Sequence, residues 1–392
     1  MIPGRRKLLQ AGAGLTLVAC GGGLWQAAHE GAFAMGEGLA YAPWDDWRSG
    51  LNEGPLALVR AAILAASPHN TQPWRFRLEP DRIELHADSS RSLGPLDPFG
   101  RELHLGLGCA LENMLRAAGT LGYAVSLELP IARLDAAALP GPVATLRLGQ
   151  ATPVDDPLAD VIAERHTNRG PYDPSRPLSP ETLAAFPALV ADLEGVQVVL
   201  FSDPEQRAAF GAETVAATQA IVDDAPMIAA SDAWFRDSRA MLQERRDGLT
   251  LDAVGLPPLI VGLAKMLPVT SSRVAHRQWI TATRDVQVPT ATAFGLVVVA
   301  DLYDRVLCLR AGRAWQRMQL WAATRGLAMQ PLNQALERVD RERELGLQPD
   351  TARRLAGFTG DPALQPTFAF RAGYALQAAN PSPRRPVEWV LL

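Results

Sequence analysis

The chain has 392 residues, with 38 Lys and Arg against 42 Asp and Glu, a formal net charge of −4; it lacks the basic surplus that nucleic-acid binders carry. With 48% hydrophobic and 20% charged residues it can bury a core and is not a disordered chain, and its length calls for two domains or one large double unit. Three cysteines, Cys20, Cys109 and Cys308, exclude a disulfide framework and a CxxC pair, so any redox chemistry has to come from a bound cofactor.

Residues 1–34 read as an address. Gly4-Arg5-Arg6-Lys7-Leu8-Leu9 opens the chain and no Asp, Glu, Lys or Arg follows from Leu8 to Ala28, a positive n-region followed by an apolar h-region. The arginine pair resembles a twin-arginine signal, which implies export of the folded protein to the periplasm or cell envelope. Ala32-Phe33-Ala34 offers a small-residue cleavage site, Leu17-Val18-Ala19-Cys20 resembles a lipoprotein box, and the stretch is also long enough to stay as a membrane anchor. A cytoplasmic protein with an uncleaved N-terminus is the alternative.

Leu56–Ala66 reads as an apolar helix. It runs into Ser67-Pro68-His69-Asn70-Thr71-Gln72-Pro73-Trp74, a proline-punctuated loop whose Ser, Asn and Gln groups can bond the edge of a planar heterocycle. Arg75–Ser89 alternates Phe76, Leu78, Ile83 and Leu85 around Pro80-Asp81, which predicts a hairpin. From Arg101 to Tyr123 the apolar residues fall at helical spacing, with Gly122 at the C-cap. Gly106-Leu-Gly108 lies inside that helical pattern with no strand before it, which argues against a dinucleotide loop, and Cys109 and Cys308 read as core. Pro142–Gly149 is β-like. Arg165-His166-Thr167-Asn168-Arg169 then brackets a hydroxyl with two fork-shaped donors, a set suited to a phosphate dianion, although a solvated charged loop has the same composition. Leu178-Ser179-Pro180-Glu181-Thr182-Leu183 follows, and Val196–Phe201 predicts a strand. Residues 232–270 fit neither half and read as a helical insertion over the surface. Ala314–Leu327 repeats the first long helix 204 residues later: Ala110, Met114, Ala118, Thr120 and Gly122 match Ala314, Met318, Ala322, Thr324 and Gly326. The run Pro366–Gly373 then parallels Pro142–Gly149, so helix and strand recur in one order, the pattern of an internal duplication. The expected organisation is an address over 1–34, a first lobe over 35–150 and a second lobe over 151–392 carrying the insertion. The six histidines show no metal-ligand spacing.

Arg165–Arg169, Leu178–Leu183 and Ser67–Phe76 together resemble the flavin-binding signature of the nitroreductase family, and the order, loop in the first half and phosphate motif in the second, resembles its fused, two-lobed Acg-like branch. The resemblance covers about residues 55–392 without the insertion. It implies an α+β nitroreductase-like fold, internally duplicated as an intrachain pseudo-dimer, with FMN between the lobes, NAD(P)H as co-substrate and a small electron-poor acceptor such as a nitroaromatic or quinone. One chain then supplies the whole pseudo-dimer. Carried over residue by residue, Arg165 and Thr167 hold the phosphate with Asn168 between them and Arg169, which lies near the ring; Ser67, Pro68, Asn70 and Gln72 approach the ring from the other lobe. Pro331, Leu332 and Asn333 match the loop whose main chain approaches the flavin, though Asn333-Gln334 stands where the family has Glu-Gly. Arg384 and Arg385 match the basic tail. Only one composite site can be assembled, which implies one FMN per chain. No side chain acts as acid or base in hydride transfer itself, the flavin carrying the chemistry. A non-catalytic protein that stores or sequesters FMN, with 232–270 as a lid, is the alternative.

Overall fold

The computed structural model describes residues 34–49, 54–136, 140–265 and 271–392; the address reading, Ala34 apart, lies outside them. Among the described residues no helix is long and apolar enough to cross a membrane.

The first half holds α1 (Ala42–Ser49), α2 (Pro55–Ala62), β1 (Trp74–Glu79), β2 (Arg82–Ala87), α3 (Arg101–Thr120), β3 (Tyr123–Glu128) and β4 (Ala144–Gln150). β1 buries Trp74 and Phe76 and turns Arg77 to solvent, the period-two alternation of a half-covered strand, and it pairs antiparallel with β2 from Trp74↔Ala87 to Glu79↔Arg82. The Asp97 carboxylate accepts the free N–H groups of Glu102 and Leu103 at 3.0 and 2.8 Å and so starts α3. Gly122, at φ +77°, turns the chain out of α3 in the left-handed conformation that glycine allows. The sheet order is β1-β2-β4-β3.

The second half begins with α4 (Pro180–Ala188). Ser179 Oγ accepts the Thr182 N–H at 3.2 Å and Pro180 fills the first turn, so the Leu178–Leu183 segment is a capped helix start. β5 (Val196–Phe201), β6 (Ala293–Val299), α10 (Arg305–Ala323), β7 (Ala328–Pro331) and β8 (Gln365–Gly373) follow, in sheet order β5-β6-β8-β7. The two sheets therefore have the same order, each with its long helix between the second and third strands. The α+β class expected from the sequence is the one observed. The difference lies between the first two strands. Pro80-Asp81 joins β1 to β2, whereas β5 reaches β6 through α5 (Pro204–Asp223), α6 (Ala225–Asp232), α7 (Arg239–Arg245), α8 (Pro258–Lys265) and α9 (Ser272–Ala282). The excursion expected over 232–270 is thus the middle of a longer connection. After β7 come α11 (Gln334–Glu344) and α12 (Asp350–Ala356). The C-terminal tail crosses to the first sheet: Phe76 donates to the Val390 carbonyl at 2.7 Å and accepts from Leu392 N–H at 2.8 Å, pairing alongside β1 in parallel.

The centre of the molecule is the crossing of α3 and α10. A Cβ on Gly108 would lie 2.1 Å from the Leu309 carbonyl oxygen, and one on Gly312 would lie 2.0 Å from that of Leu105, two contacts related by the same 204-residue offset. Only glycine lets the backbones come so close. Around the crossing the polar positions pair reciprocally. Glu112, fully buried, accepts from Arg313, Arg317 and Arg116 at 2.9, 2.7 and 2.8 Å, while Gln316 donates to Asn113 at 2.8 Å. Burial would raise the Glu112 carboxyl, but the three guanidiniums hold it down to about 2.

A second buried ionic group joins α3 to α11. Arg101 donates to Asp340 at 2.7 Å and to the Thr367 carbonyl, Tyr303 donates to Asp340 at 2.8 Å, and Asp97, Glu102 and Glu337 are buried beside them. Four carboxyls share one guanidinium. Burial, reinforced by the neighbouring carboxylates, pushes Glu337 up to about 8 and Asp97 up to about 6, and holds Glu102 well above the carboxylate range. Because the folded state holds these protons more tightly than the unfolded one, their contribution is complete below the ordinary carboxylate pKa and is lost as pH rises toward 8. Urea titrations from pH 5 to 9 should show wild-type stability falling with pH and Glu337→Gln falling less; parallel curves would contradict the assignment.

Candidate functional site

The two sequence motifs meet at the C-terminal end of α2. Arg165 donates to the Leu64 carbonyl at 3.3 Å and to Gln319 Oε1 of α10 at 3.0 Å. Arg384 inserts from the tail, donating to the Leu64 and Ala65 carbonyls at 3.3 and 3.0 Å and to Asn70 Oδ1 at 2.6 Å. The first-half loop, the 165–169 motif and the tail therefore share one junction.

That loop is held in an unfavourable conformation. His69, Asn70 and Gln72 have φ of 46°, 54° and 53°, the left-handed region that costs non-glycine residues energy. Its side chains fix it. Ser67 Oγ accepts the Gln72 N–H at 3.0 Å; Asn70 donates to the Gly248 and Pro383 carbonyls; Gln72 donates to the Arg246 carbonyl and accepts from Arg385 N–H at 2.8 Å. Pro68 lies against Gly106 of α3. Arg246, whose carbonyl takes the Gln72 amide, is the fourth non-glycine residue with positive φ among those described, so all four gather where loop and connection touch.

The arginines carry the electrostatic signature. Arg165 and Arg384 are 3% and 1% exposed, and among the described residues no carboxylate pairs with either. Burial, uncompensated by any carboxylate, lowers Arg165 to about 10, and burial together with the Arg165 charge lowers Arg384 well below the usual guanidinium value. Arg169 and Arg385 are lowered to about 10 by burial and by neighbouring arginines. The contrast is with Arg317, where Glu112 and Asp192 overcome burial and raise the guanidinium. Arg165 Nε, Arg384 Nε, Gln319 Nε2 and His166 Nδ1 are buried and have no hydrogen-bond partner among the described residues. Buried donors without acceptors and cations without anions are both costly, and one phosphate-like dianion would relieve both. His69 and His166 are lowered, by burial and by adjacent arginines, to about 4 and about 3, so both are neutral at pH 7.

The remaining candidates are placed differently. Asn168 is committed to protein: its amide donates to the Gln377 carbonyl at 2.7 Å and accepts the Gly170 N–H at 3.0 Å, while its own N–H donates to Met329 at the start of β7. Thr167 and Arg169 line a cleft with Asp252, Gly255 and Gln377–Asn380, and Arg169 donates to the Ala253 carbonyl at 3.3 Å. Gly255, at φ +81°, lies so close to the motif that a Cβ there would meet Gly170 N at 2.3 Å. Pro331, Leu332 and Asn333 are not drawn into the arginine cluster. Leu332 N–H donates to the Ala369 carbonyl at 2.8 Å and Asn333 Oδ1 accepts the Ala369 N–H at 2.9 Å, so this segment continues edge strand β7 alongside β8 and reaches the motif through Met329. Arg385 holds Gln72 rather than the cluster, donating to its carbonyl at 3.2 Å.

Two participants escape the motif reading. Gln319 is a buried amide on the amphipathic helix α10, and its polarity beside Trp315 and Met318 was the available signal. Trp44 sits in a short segment rich in charge, where only the Trp44–Trp47 spacing hinted at burial.

No model of a known protein family matches the chain. Over 344 residues, 85% of this chain and 90% of the other, it is 27% identical to a protein of Mycobacterium tuberculosis H37Rv provisionally named an NAD(P)H nitroreductase. It is 32% identical over 111 residues, 28% of this chain, to a second protein of that organism, named acg and likewise provisionally an NAD(P)H nitroreductase. Among solved structures, the FMN-dependent nitroreductase NfnB from Mycobacterium smegmatis in complex with NADPH overlaps 59% of this chain and 96% of its own at 16% identity and a TM-score of 0.38. A nitroreductase with bound FMN from Desulfitobacterium hafniense overlaps 59% and 95% at 14% identity and 0.36.

Proposed function

We propose that the chain is an FMN-dependent oxidoreductase of the nitroreductase type, an internally duplicated pseudo-dimer with one flavin site between its lobes. The observation that carries this reading is the group of buried arginines and orphaned donors at the junction of Arg165, Arg384 and Asn70, whose chemistry fits a phosphate monoester. Similarity over 85% of the chain to a protein provisionally named an NAD(P)H nitroreductase supports it. Arg165 and Arg384 would hold the phosphate, Thr167 and Arg169 would line the neighbouring cleft with Arg169 supplying positive charge toward the ring, and Ser67, Pro68 and Asn70 would meet the ring from the first lobe. FMN, when bound, accepts hydride from NAD(P)H and passes electrons to a small electron-poor acceptor such as a nitroaromatic or quinone. The chain's own contribution is orientation and charge. With His69 and His166 held neutral by burial and adjacent arginines, neither adds charge to the junction.

The far side of the helix crossing supports one site per chain. There Arg317 donates to the Leu189 carbonyl at 2.8 Å and to Asp192, at the end of α4 as Arg165 and Arg384 do at the end of α2. There Glu112 and Asp192 already pair with Arg317, in contrast to Arg165 and Arg384, carboxylate-free among the described residues.

A second reading, flavin storage without turnover, is favoured by one contact: the connection seats Gly255 directly on Gly170 and Arg169. Asp247 latches the same connection, accepting from Arg236 at 2.7 Å and from Arg91, whose guanidinium also reaches the Thr71 carbonyl. Anaerobic addition of NADPH to FMN-loaded protein separates the two. Bleaching of the flavin absorbance within minutes is expected of the oxidoreductase; a spectrum unchanged over hours would overturn turnover and leave storage. Export to the cell envelope, by cleavage or with an anchor, remains part of the proposal on the strength of Arg5-Arg6 and Leu8–Ala28.

A further inference from the structure

The stretch 34–49 threads between the connection and the tail. Gln243 of α7 donates to the Glu37 carbonyl at 2.9 Å and accepts the Ala40 N–H at 2.9 Å, and the Ala40 carbonyl accepts Arg384 N–H at 2.7 Å. This strap delivers Trp44, 7% exposed, onto the arginine junction. The indole donates to the Ser382 carbonyl at 2.8 Å. Its ring lies 4.6 Å from the Arg384 guanidinium and 5.9 Å from that of Arg165, with the His166 ring edge-on at 4.6 Å and 77°.

A guanidinium donates only in its own plane, while its face is weakly hydrated and stacks on aromatic rings. Both guanidinium carbons lie over the Trp44 ring, a cation–π contact that leaves the Nη groups to their carbonyl and amide partners. The Nη atoms of Arg384 are already occupied by Asn70, Ser382, Pro383, Leu64 and Ala65, those of Arg165 by Gln319 and Leu64, and in both residues Nε is left over. Resting on the flavin reading above, we infer that Trp44 is a specificity-determining residue of the site: it excludes water from the two guanidiniums and holds their spare donors for a phosphate, so that the chain distinguishes FMN from unphosphorylated riboflavin. Water admitted to this junction would screen the charge and weaken recognition of the phosphate while leaving contacts to the ring system as they are.

The test is the ratio of FMN to riboflavin affinity, measured by flavin fluorescence titration of the flavin-stripped full chain. Trp44→Leu keeps apolar bulk without the π-face, and Trp44→Phe keeps a π-face. Trp44→Leu should lower FMN affinity about tenfold and leave riboflavin affinity unchanged, and Trp44→Phe should restore most of the wild-type ratio. A ratio unchanged in Trp44→Leu, or equal losses for both flavins, would overturn the role of Trp44. Wild-type protein that binds neither flavin would instead overturn the flavin reading itself.

Discussion

Substituting alanine for Gly108 should destabilise the protein by about 3 kcal/mol or more, although Ala is the better helix former by about 1 kcal/mol. The new Cβ would sit 2.1 Å from a backbone oxygen of the facing helix, and at Gly312 the distance is 2.0 Å. A main-chain carbonyl cannot swing aside as the end of a long side chain can, so α3 and α10 must separate. Separation loosens the packing of Leu105, Leu309 and Met114, all buried in the same core, and stretches the Glu112–Arg317 pair. Both substitutions act on one crossing, so the double variant should cost clearly less than the sum of the singles. Gly357→Ala is the control: its φ of −63° is ordinary for any residue, the nearest atom to its Cβ is 3.5 Å away, and its cost should stay below about 0.5 kcal/mol. Urea denaturation measures all four. A Gly108→Ala variant within that same margin of wild type would contradict the close crossing.

The second large effect is on ligand retention. Arg165→Ala and Arg384→Ala should each weaken FMN binding about tenfold to a hundredfold, the loss of one charge-assisted contact at about 1.5–3 kcal/mol. The two need not behave alike in stability. Arg165 makes two hydrogen bonds to Gln319 and Leu64, whereas Arg384 also organises the Asn70 loop and the tail, so its removal leaves more carbonyls unpaired and should lower the melting temperature further. Arg310→Ala, a partly exposed arginine bonded to Glu194, should leave FMN affinity as it is. Equal flavin retention in wild type, Arg165→Ala and Arg384→Ala would show that the 165–169 motif has been misread.

Much of this was legible in the sequence because it is local. The hairpin of β1 and β2, the strand β5 and the long helices follow from alternation and helical period, and the recurrence at 204 residues anticipated two sheets of one strand order. The Ser67–Gln72 loop and the 165–169 motif were brought together by their resemblance to one family signature, and both reach the junction at Leu64 and Arg384. What stayed hidden depends on partners far along the chain. Trp44 gains its meaning from Ser382 and Arg384, 338 residues on in the first case, and a single tryptophan between Pro43 and Asp45 gives no sign of that. Gly106-Leu-Gly108 was correctly placed inside a helix, but which glycine faces a second backbone is decided by the crossing. Glu102, Glu337 and Asp340 have the composition of a solvated helix face; only their burial around Arg101 makes them a proton-sharing group. The site residues divide on the same line. Arg165 and Asn70 reach one junction, Asn168 bonds main-chain groups, and Leu332 and Asn333 extend β7 alongside β8, the first through its N–H and the second through its side-chain Oδ1, both on Ala369.

The most direct test of the central claim, a single flavin nucleotide held between two halves of one chain, is native mass spectrometry of the purified protein with and without excess FMN. The account predicts one FMN per chain, unchanged at saturating ligand. Two bound nucleotides per chain, or none at any concentration, would contradict it.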